Sequence, residues 1–180
     1  MKTNQLTLMN AYLDASAINW KAVYDDLLPR LFHYFCYRTG DADAAEELTA
    51  LTLETAWEKR GRYQKQLGAF NVWVFGIARK TAAQYFRTHR VLLPLESAIN
   101  TPAPGMVEEE TQKNLAFERV SSLLAEFPDR ERELVALKYG ADLTNREIAH
   151  LRGLSESNVG TIVSRVITKL RKVWEEENDR

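Results

Sequence analysis

Leu143 to Arg171 reads LTNREIAHLRGLSESNVGTIVSRVITKLR, and this stretch decides the architecture of the second half of the chain. Thr144 and Glu147 stand at the spacing of a capping box, so a helix begins there. Ile148, Ala149 and Leu151 give that helix its inner face. Gly153 falls where the helix must end and the chain must turn. Leu154 fills the angle, and Ser155 is a good N-cap for the next helix. Val159, Ile162, Val163, Val166 and Leu170 then recur at helical spacing and face inward. Ala149 is small enough for two helices to approach closely. The pattern predicts a helix-turn-helix, whose second helix offers its N-terminal residues to the major groove of a duplex. Its outward positions are Ser157, Asn158, Thr161, Ser164, Arg165 and Thr168. Hydroxyls and amides there can bond base edges or phosphates, while Arg165, Lys169, Arg171 and Lys172 suit the phosphate backbone.

Upstream, Pro128 and Asp129 start a helix carrying Leu134, Val135 and Leu137 and ending near Gly140. Before it, Leu115, Val120, Leu123, Leu124 and Phe127 form another helical face. Leu92 to Thr111 breaks the pattern with Pro94, Pro102, Pro104, Gly105 and three consecutive glutamates, which predicts a flexible linker. The first half is again helical. Trp20, Val23, Tyr24, Leu27 and Leu28 form one stripe, Pro29 should kink or restart that helix, and Gly40 ends it. A second helix is expected to open at Asp43, with Glu46 completing a capping box, and to end near Gly61. A third runs from about Ala69 to His89 with Phe70, Trp73, Val74, Ile77, Thr81 and Tyr85 as its buried stripe. Three such helices can close a small core.

The expected fold class is therefore all-α, with two small helical domains joined by a flexible linker. The boundaries read as an N-terminal extension over 1–16, a first domain over 17–90, an acidic Pro-containing linker over 91–112, a helix-turn-helix domain over 113–174 and an acidic tail over 175–180.

Charge supports two polyanion contacts. The formal net charge of the 180 residues is only −1, but bases are segregated. Thr55 to Arg90 holds Lys59, Arg60, Arg62, Lys65, Arg79, Lys80, Arg87 and Arg90 against one carboxylate, Glu58. Leu92 to Glu133 is dominated by acids, and Thr144 to Lys172 is basic again. Two basic surfaces separated by an acidic segment suit two contacts with one nucleic acid, although solvated helix faces are the plainer reading of any single charge run.

Other chemistry has no footing. His33, His89 and His150 are scattered, and neither Cys36 nor any carboxylate pair joins them at metal-ligand spacing. His33 and Cys36 are three apart on one helix, which makes a core or surface pair rather than a site. There is no phosphate-binding glycine loop and no nucleophile elbow. The expectation is no catalytic residue, no metal and no cofactor. One cysteine allows no internal disulfide and fits a reducing compartment. No signal peptide is read between Met1 and Asn19, and no apolar run has the length of a membrane span. The expected location is the cytoplasm, without membrane insertion.

Taken together, LLPRLFHYFCYRTGDADAAEEL, TAW at Thr55–Trp57, FNVWVFGIAR ending at Arg79, FPDRERELVALKY and the helix-turn-helix resemble the extracytoplasmic-function (ECF) subfamily of the sigma-70 family of bacterial RNA polymerase sigma factors. The resemblance runs from about Ala17 to Lys172. It implies sigma region 2 in the first domain, as a three- or four-helix bundle, and sigma region 4 in the second. It implies that Glu46, Glu47, Ala50, Leu51 and Glu54 bind core RNA polymerase. Arg62, Tyr63, Lys65, Asn71, Arg79, Lys80, Gln84 and Arg87 would recognise and open the promoter −10 element. Ser157, Asn158, Thr161, Ser164, Arg165 and Lys169 would read the −35 element. The implied partners are core polymerase, promoter DNA and an anti-sigma factor. The chain departs from the family pattern at Ala50-Leu51, where Gln-Glu is usual, and at Lys80 and Gln84, where Asn and Asp are usual. A gapless alignment on Gly153 puts the usual basic positions of the recognition helix at Gly160 and Ile162. A gapped one instead matches GTIVSR at Gly160–Arg165, but it misplaces the helix relative to the turn. The alternative reading is a stand-alone helix-turn-helix regulator, because LTNREIAHLRGLSES also resembles LuxR-type DNA-binding domains.

Overall fold

The computed structural model describes residues 19–89 and 119–178. The extension, the linker and the last residues of the acidic tail lie outside them. Helix α1 (Trp20–Thr39) opens on Asn19, whose side-chain oxygen accepts from the Ala22 amide at 3.2 Å, and closes on Gly40 at φ 70°. That left-handed cap needs glycine. Of the kink or restart expected at Pro29, the restart does not occur, because α1 is continuous across it. A proline inside a helix costs about 3 kcal/mol. Here the helix is held on either side of Pro29 by the fully buried Leu27 and Leu31. Helix α2 (Ala42–Glu58) starts earlier than the capping-box spacing predicts. Asp41 is the cap and accepts from the amides of Asp43 and Ala44. The Gly40 turn fixes that choice, and the Thr39 hydroxyl accepts from the Asp41 amide.

Two 3₁₀ turns, Arg60–Arg62 and Lys65–Leu67, lead to α3 (Phe70–His89). The expected stripe on α3 is only one edge of its buried surface. Phe70, Val72, Val74, Phe75, Ala78 and Ala82 are buried, whereas Trp73, Ile77, Thr81 and Tyr85 are half-buried. An amphipathic reading assumes one covered face, and α3 is covered on two.

The second unit begins with helix α4, described over 119–125. Helix α5 (Asp129–Val135) runs on into a π-helical turn, Ala136–Gly140. Helix α6 (Asn145–Arg152) carries the predicted capping box in full: Glu147 N donates to Thr144 Oγ1 at 3.2 Å, and Thr144 N donates to Glu147 at 2.8 Å. Gly153 caps it at φ 63°, and α7 (Glu156–Asn178) follows. The described residues are helices and turns without a strand. None of these helices is long and apolar enough to cross a membrane.

The two helical units do not stand apart. One continuous cluster of buried residues runs from Leu27, Tyr34 and Phe75 in the first to Leu134, Leu137, Ile148 and Val166 in the second. The π turn lies directly on α1. A Cβ on Gly140 would sit 2.8 Å from the Tyr34 backbone nitrogen and Cα, and 2.9 Å from the His33 carbonyl carbon. Polar contacts flank this apposition. Arg30 Nε donates to the Ala141 carbonyl at 2.8 Å, and the buried Arg38 donates to both the Asp129 carboxylate and its carbonyl.

Candidate nucleic-acid and partner interfaces

The recognition helix α7 divides cleanly. Val159, Ile162, Val163 and Val166 are buried, and Ser157, Asn158, Thr161, Ser164, Arg165 and Lys169 are exposed. Ser155 caps the helix, accepting from the Asn158 amide at 3.2 Å. A shallow polar depression lies along its outer side, lined by Asn145, Ser157, Gly160, Thr161, Ser164 and Arg165. Asn145, which the sequence pattern did not single out, explains Gly160. A Cβ there would come within 3.2 Å of the Asn145 amide nitrogen. Neither Gly160 nor the buried Ile162 can present a base to DNA, so the basic residues among these outward positions are Arg165 and Lys169. Arg165, its cation near the N-terminal half, is ion-paired with Glu131 of α5.

The residues expected at the −10 element fall into two groups. Arg62, Lys65, Lys80, Gln84 and Arg87 are exposed. Arg62, Lys80 and Gln84 share a cleft of about 590 Å³ between α2 and α3 with Lys59, Trp73, Tyr85 and His89. Arg87 donates to Gln84 on the same helix. The second group is engaged by the other unit. Arg79 Nε donates to Glu133 Oε1 at 2.7 Å and its Nη1 to the Leu151 carbonyl at 3.1 Å, while Asn71 donates to Glu147 at 3.2 Å. Tyr63 is buried. Its hydroxyl donates to the Gly68 carbonyl at 3.0 Å, and its ring packs edge-on against Phe70. In this arrangement the ring has no open face for a base.

Glu46, Glu47, Ala50, Leu51 and Glu54 are all exposed along the outer side of α2. That ridge separates the basic cleft from an apolar one of about 790 Å³, lined by Trp20, Tyr24, Leu28, Phe32, Leu53 and Trp57. Trp20 and Trp57 meet edge to face at 4.7 Å across its end. Exposed aromatics beside a carboxylate-bearing ridge suit a protein partner with an apolar face and basic flanks.

Glu133 is the residue that sequence reading missed most clearly. It is buried, and its carboxylate bridges Arg79 of the first unit and Arg152 of the second, the latter at 3.2 Å. It sits in an acidic run, so nothing in its spacing separates it from a solvated glutamate. Cys36 is buried and His33 exposed, so the two form no site. Burial, helped by Asp41, pushes the Cys36 thiol up to about 12, which makes it inert at neutral pH. No cluster of His, Cys, Asp and Glu among the described residues could hold a metal.

Comparison with known proteins fits this geometry. The family model of Sigma-70 region 2 matches residues 23–91, and that of Sigma-70, region 4 matches residues 123–172. The chain is 26% identical over 169 residues to the ECF RNA polymerase sigma factor RpoE of Cereibacter sphaeroides, covering 92% of this chain and 90% of the relative. It is 24% identical to the ECF sigma factor BldN of Streptomyces coelicolor, covering 84% of this chain and 58% of that one. It is 22% identical to SigM of Bacillus subtilis, covering 84% and 93%. Among solved structures, CnrH in complex with the cytosolic domain of CnrY shares the fold at a TM-score of 0.66, with 16% identity and 92% of each chain covered. RpoE of Bartonella quintana, in complex with the anti-sigma factor NepR, shares it at 0.67, with 21% identity, 87% of this chain and 97% of that one covered. The order of the two matched regions and the all-helical architecture that carries them lead to one assignment: the chain belongs to the sigma-70 family, as an alternative sigma factor of the ECF subfamily.

Proposed function

We propose that this chain binds bacterial core RNA polymerase through the α2 ridge and directs it to promoters, with the first domain taking the −10 element and the second the −35 element. The observation that carries this reading is the pairing, in one chain, of an exposed ridge flanked by an apolar cleft with an outward-facing polar recognition helix. In this reading Glu46, Glu47, Ala50, Leu51 and Glu54 meet the polymerase. Arg62, Lys65, Asn71, Arg79, Lys80, Gln84 and Arg87 meet the −10 region, and Tyr63 shapes the loop that carries Arg62 and Lys65. Ser157, Asn158, Thr161, Ser164, Arg165 and Lys169 meet the −35 duplex. The domains named from sequence, 17–90 and 113–174, are the two gripping modules, joined by the 91–112 linker. Once polymerase holds both, the second DNA contact becomes intramolecular, which supplies affinity that neither module has alone.

The chain makes and breaks no bond, because the polymerase performs the chemistry. It works in the cytoplasm, where polymerase and promoter are. The solved relatives bound to CnrY and NepR support an anti-sigma factor as a further partner. A stand-alone LuxR-type regulator would leave the α2 ridge and its apolar cleft without a task. The test is reconstituted transcription: core polymerase with and without the chain, on fragmented genomic DNA, with the 5′ ends of the transcripts sequenced. Chain-dependent starts sharing upstream −10 and −35 sequences are expected. An unchanged set of starts would refute the proposal.

A further inference from the structure

At Gly160 the recognition helix carries no side chain where the gapless alignment puts a basic one. The space is filled from the neighbouring helix. Asn145, the first residue of α6, is half-buried, and its Nδ2 lies 3.2 Å from where a Cβ on Gly160 would stand. Gly160 is not among the glycines with positive φ, so its backbone does not call for glycine. The approach of Asn145 does. A glycine inside a helix destabilises it relative to alanine. The amide carries a second cost, because Asn145 Oδ1 is buried and has no hydrogen-bond partner. Asn145 is not needed to cap α6 either, since Thr144 and Glu147 complete that box without it. Two local costs therefore meet at one contact that does nothing for the fold. The contact sits in the polar depression, between Glu156 and Ser157 at one end and Ser164 and Arg165 at the other. With Oδ1 turned inward, the amide N–H groups are the end left to face that depression.

We infer that Asn145 is a base-reading residue for the −35 duplex: it takes the place of the side chain missing at Gly160, and its Nδ2 donates to a major-groove acceptor of one base pair. The inference rests on the −35 reading given above and adds to it a specificity residue outside the recognition helix. The acceptors within that chemistry are guanine O6 and N7, adenine N7 and thymine O4. Cytosine offers only an amino donor there, so it is the base this contact excludes. A single neutral donor discriminates less than a bidentate arginine, and it brings no charge to the phosphates. Gly160 is the positioning residue, because only a position without a Cβ lets the amide lie on the recognition helix.

The experiment mixes the full chain, at low salt, with a library of DNA duplexes randomised over one helical turn, and sequences the bound fraction. The native chain should enrich a motif in which one position excludes cytosine. Asn145→Ala should flatten that position by about three- to tenfold and leave the others in place. Gly160→Ala, whose methyl group displaces the amide, should flatten the same position. Asn145→Asp puts an acceptor in the same volume, and should invert the position toward cytosine and adenine, whose amino groups donate. Asn145→Ala/Gly160→Lys places a basic side chain in the gap and should turn the position toward guanine. Thermal melting by circular dichroism runs alongside. Because Oδ1 bonds nothing, Asn145→Ala should melt no lower than the native chain. A lowered melting temperature with an unchanged motif would make Asn145 a structural residue and overturn the inference. So would a loss spread evenly over all positions, which is the mark of a phosphate contact, or an Asn145→Asp chain that keeps the native preference. A native motif that every variant leaves untouched would refute the inference alone. No motif from the native chain would refute the −35 reading, and the inference with it.

Discussion

Arg38 sets two large effects against each other, and the structure decides which wins. Its side chain is 4% exposed, and it donates to the Asp129 carboxylate at 2.9 Å and to the Asp129 carbonyl at 3.1 Å. Its guanidinium lies 5.1 Å from the centre of the Phe86 ring. Arg38→Met removes all three. Asp129 is 55% exposed, so its ion pair is worth about 1 kcal/mol after solvent screening. The carbonyl bond contributes about 1 kcal/mol, and the ring contact about 0.5–1 kcal/mol. Against this, a buried cation carries a desolvation penalty of several kcal/mol. Arg38 Nε is buried without a hydrogen-bond partner, which adds about 1–3 kcal/mol. Arg132, already pushed below the usual arginine range by burial and then by Arg38, is relieved of a neighbouring charge. Methionine keeps most of the aliphatic volume, and Asp129 can turn to water. The expected cost of Arg38→Met is therefore within about 1 kcal/mol of zero. Arg38→Ala keeps the same electrostatic balance but leaves a cavity, and should cost about 3 kcal/mol. Urea unfolding followed by circular dichroism and by tryptophan fluorescence measures both. A loss above about 2 kcal/mol for methionine, or alanine no worse than methionine, would refute the reasoning.

Two further perturbations follow from the same contacts. Glu131→Gln frees Arg165 from its ion pair and removes an acid beside the duplex face. Binding to a −35 duplex should tighten about three- to tenfold at low salt, and the salt slope should grow by about one; fluorescence anisotropy across a salt series checks both, and unchanged affinity would place Arg165 off the DNA. Burial raises both the Cys36 thiol, to about 12, and the Tyr34 hydroxyl, beyond the ordinary tyrosine range. Each is neutral in the fold and ionises first in the unfolded chain. Stability should therefore be insensitive to these groups below about pH 8.5 and fall as pH rises from there toward 12. Thermal unfolding between about pH 8 and 11 reads this, and a flat midpoint would contradict the burial of both groups.

The helix-turn-helix was legible because its signals are local. Thr144, Glu147, Gly153 and Ser155 satisfy backbone groups within their own turns, and these positions are where the structure puts the caps. The first-half helices were legible as elements but less so at their ends. Pro29 sits inside a helix because packing by Leu27 and Leu31 outweighs local preference, and Asp41 caps α2 because Gly40 turns the chain there. The docking of one domain on the other could not be read at all. Its contacts join residues far apart in sequence, such as Arg38 with Asp129 and Arg79 with Glu133. It uses a glycine whose only local signal was a helix end. The second buried face of α3 was not legible either: Phe75 packs on Tyr34 of α1 with ring centroids 5.8 Å apart, while Leu151 of α6 lies close to Gly76. Glu133 looked like one more solvated acid until both arginines closed on it.

The claim on which the rest depends is that the α2 ridge engages core RNA polymerase. Purified chain and bacterial core polymerase, mixed and run on a sizing column, test it directly, with an Ala50→Gln/Leu51→Glu variant run in parallel. The native chain is expected to co-elute with polymerase, and the variant, which restores the usual Gln-Glu, to co-elute at least as strongly. A native chain that stays free while the variant binds would mean that the polymerase contact has decayed. If both stay free, the chain does not act as a sigma factor.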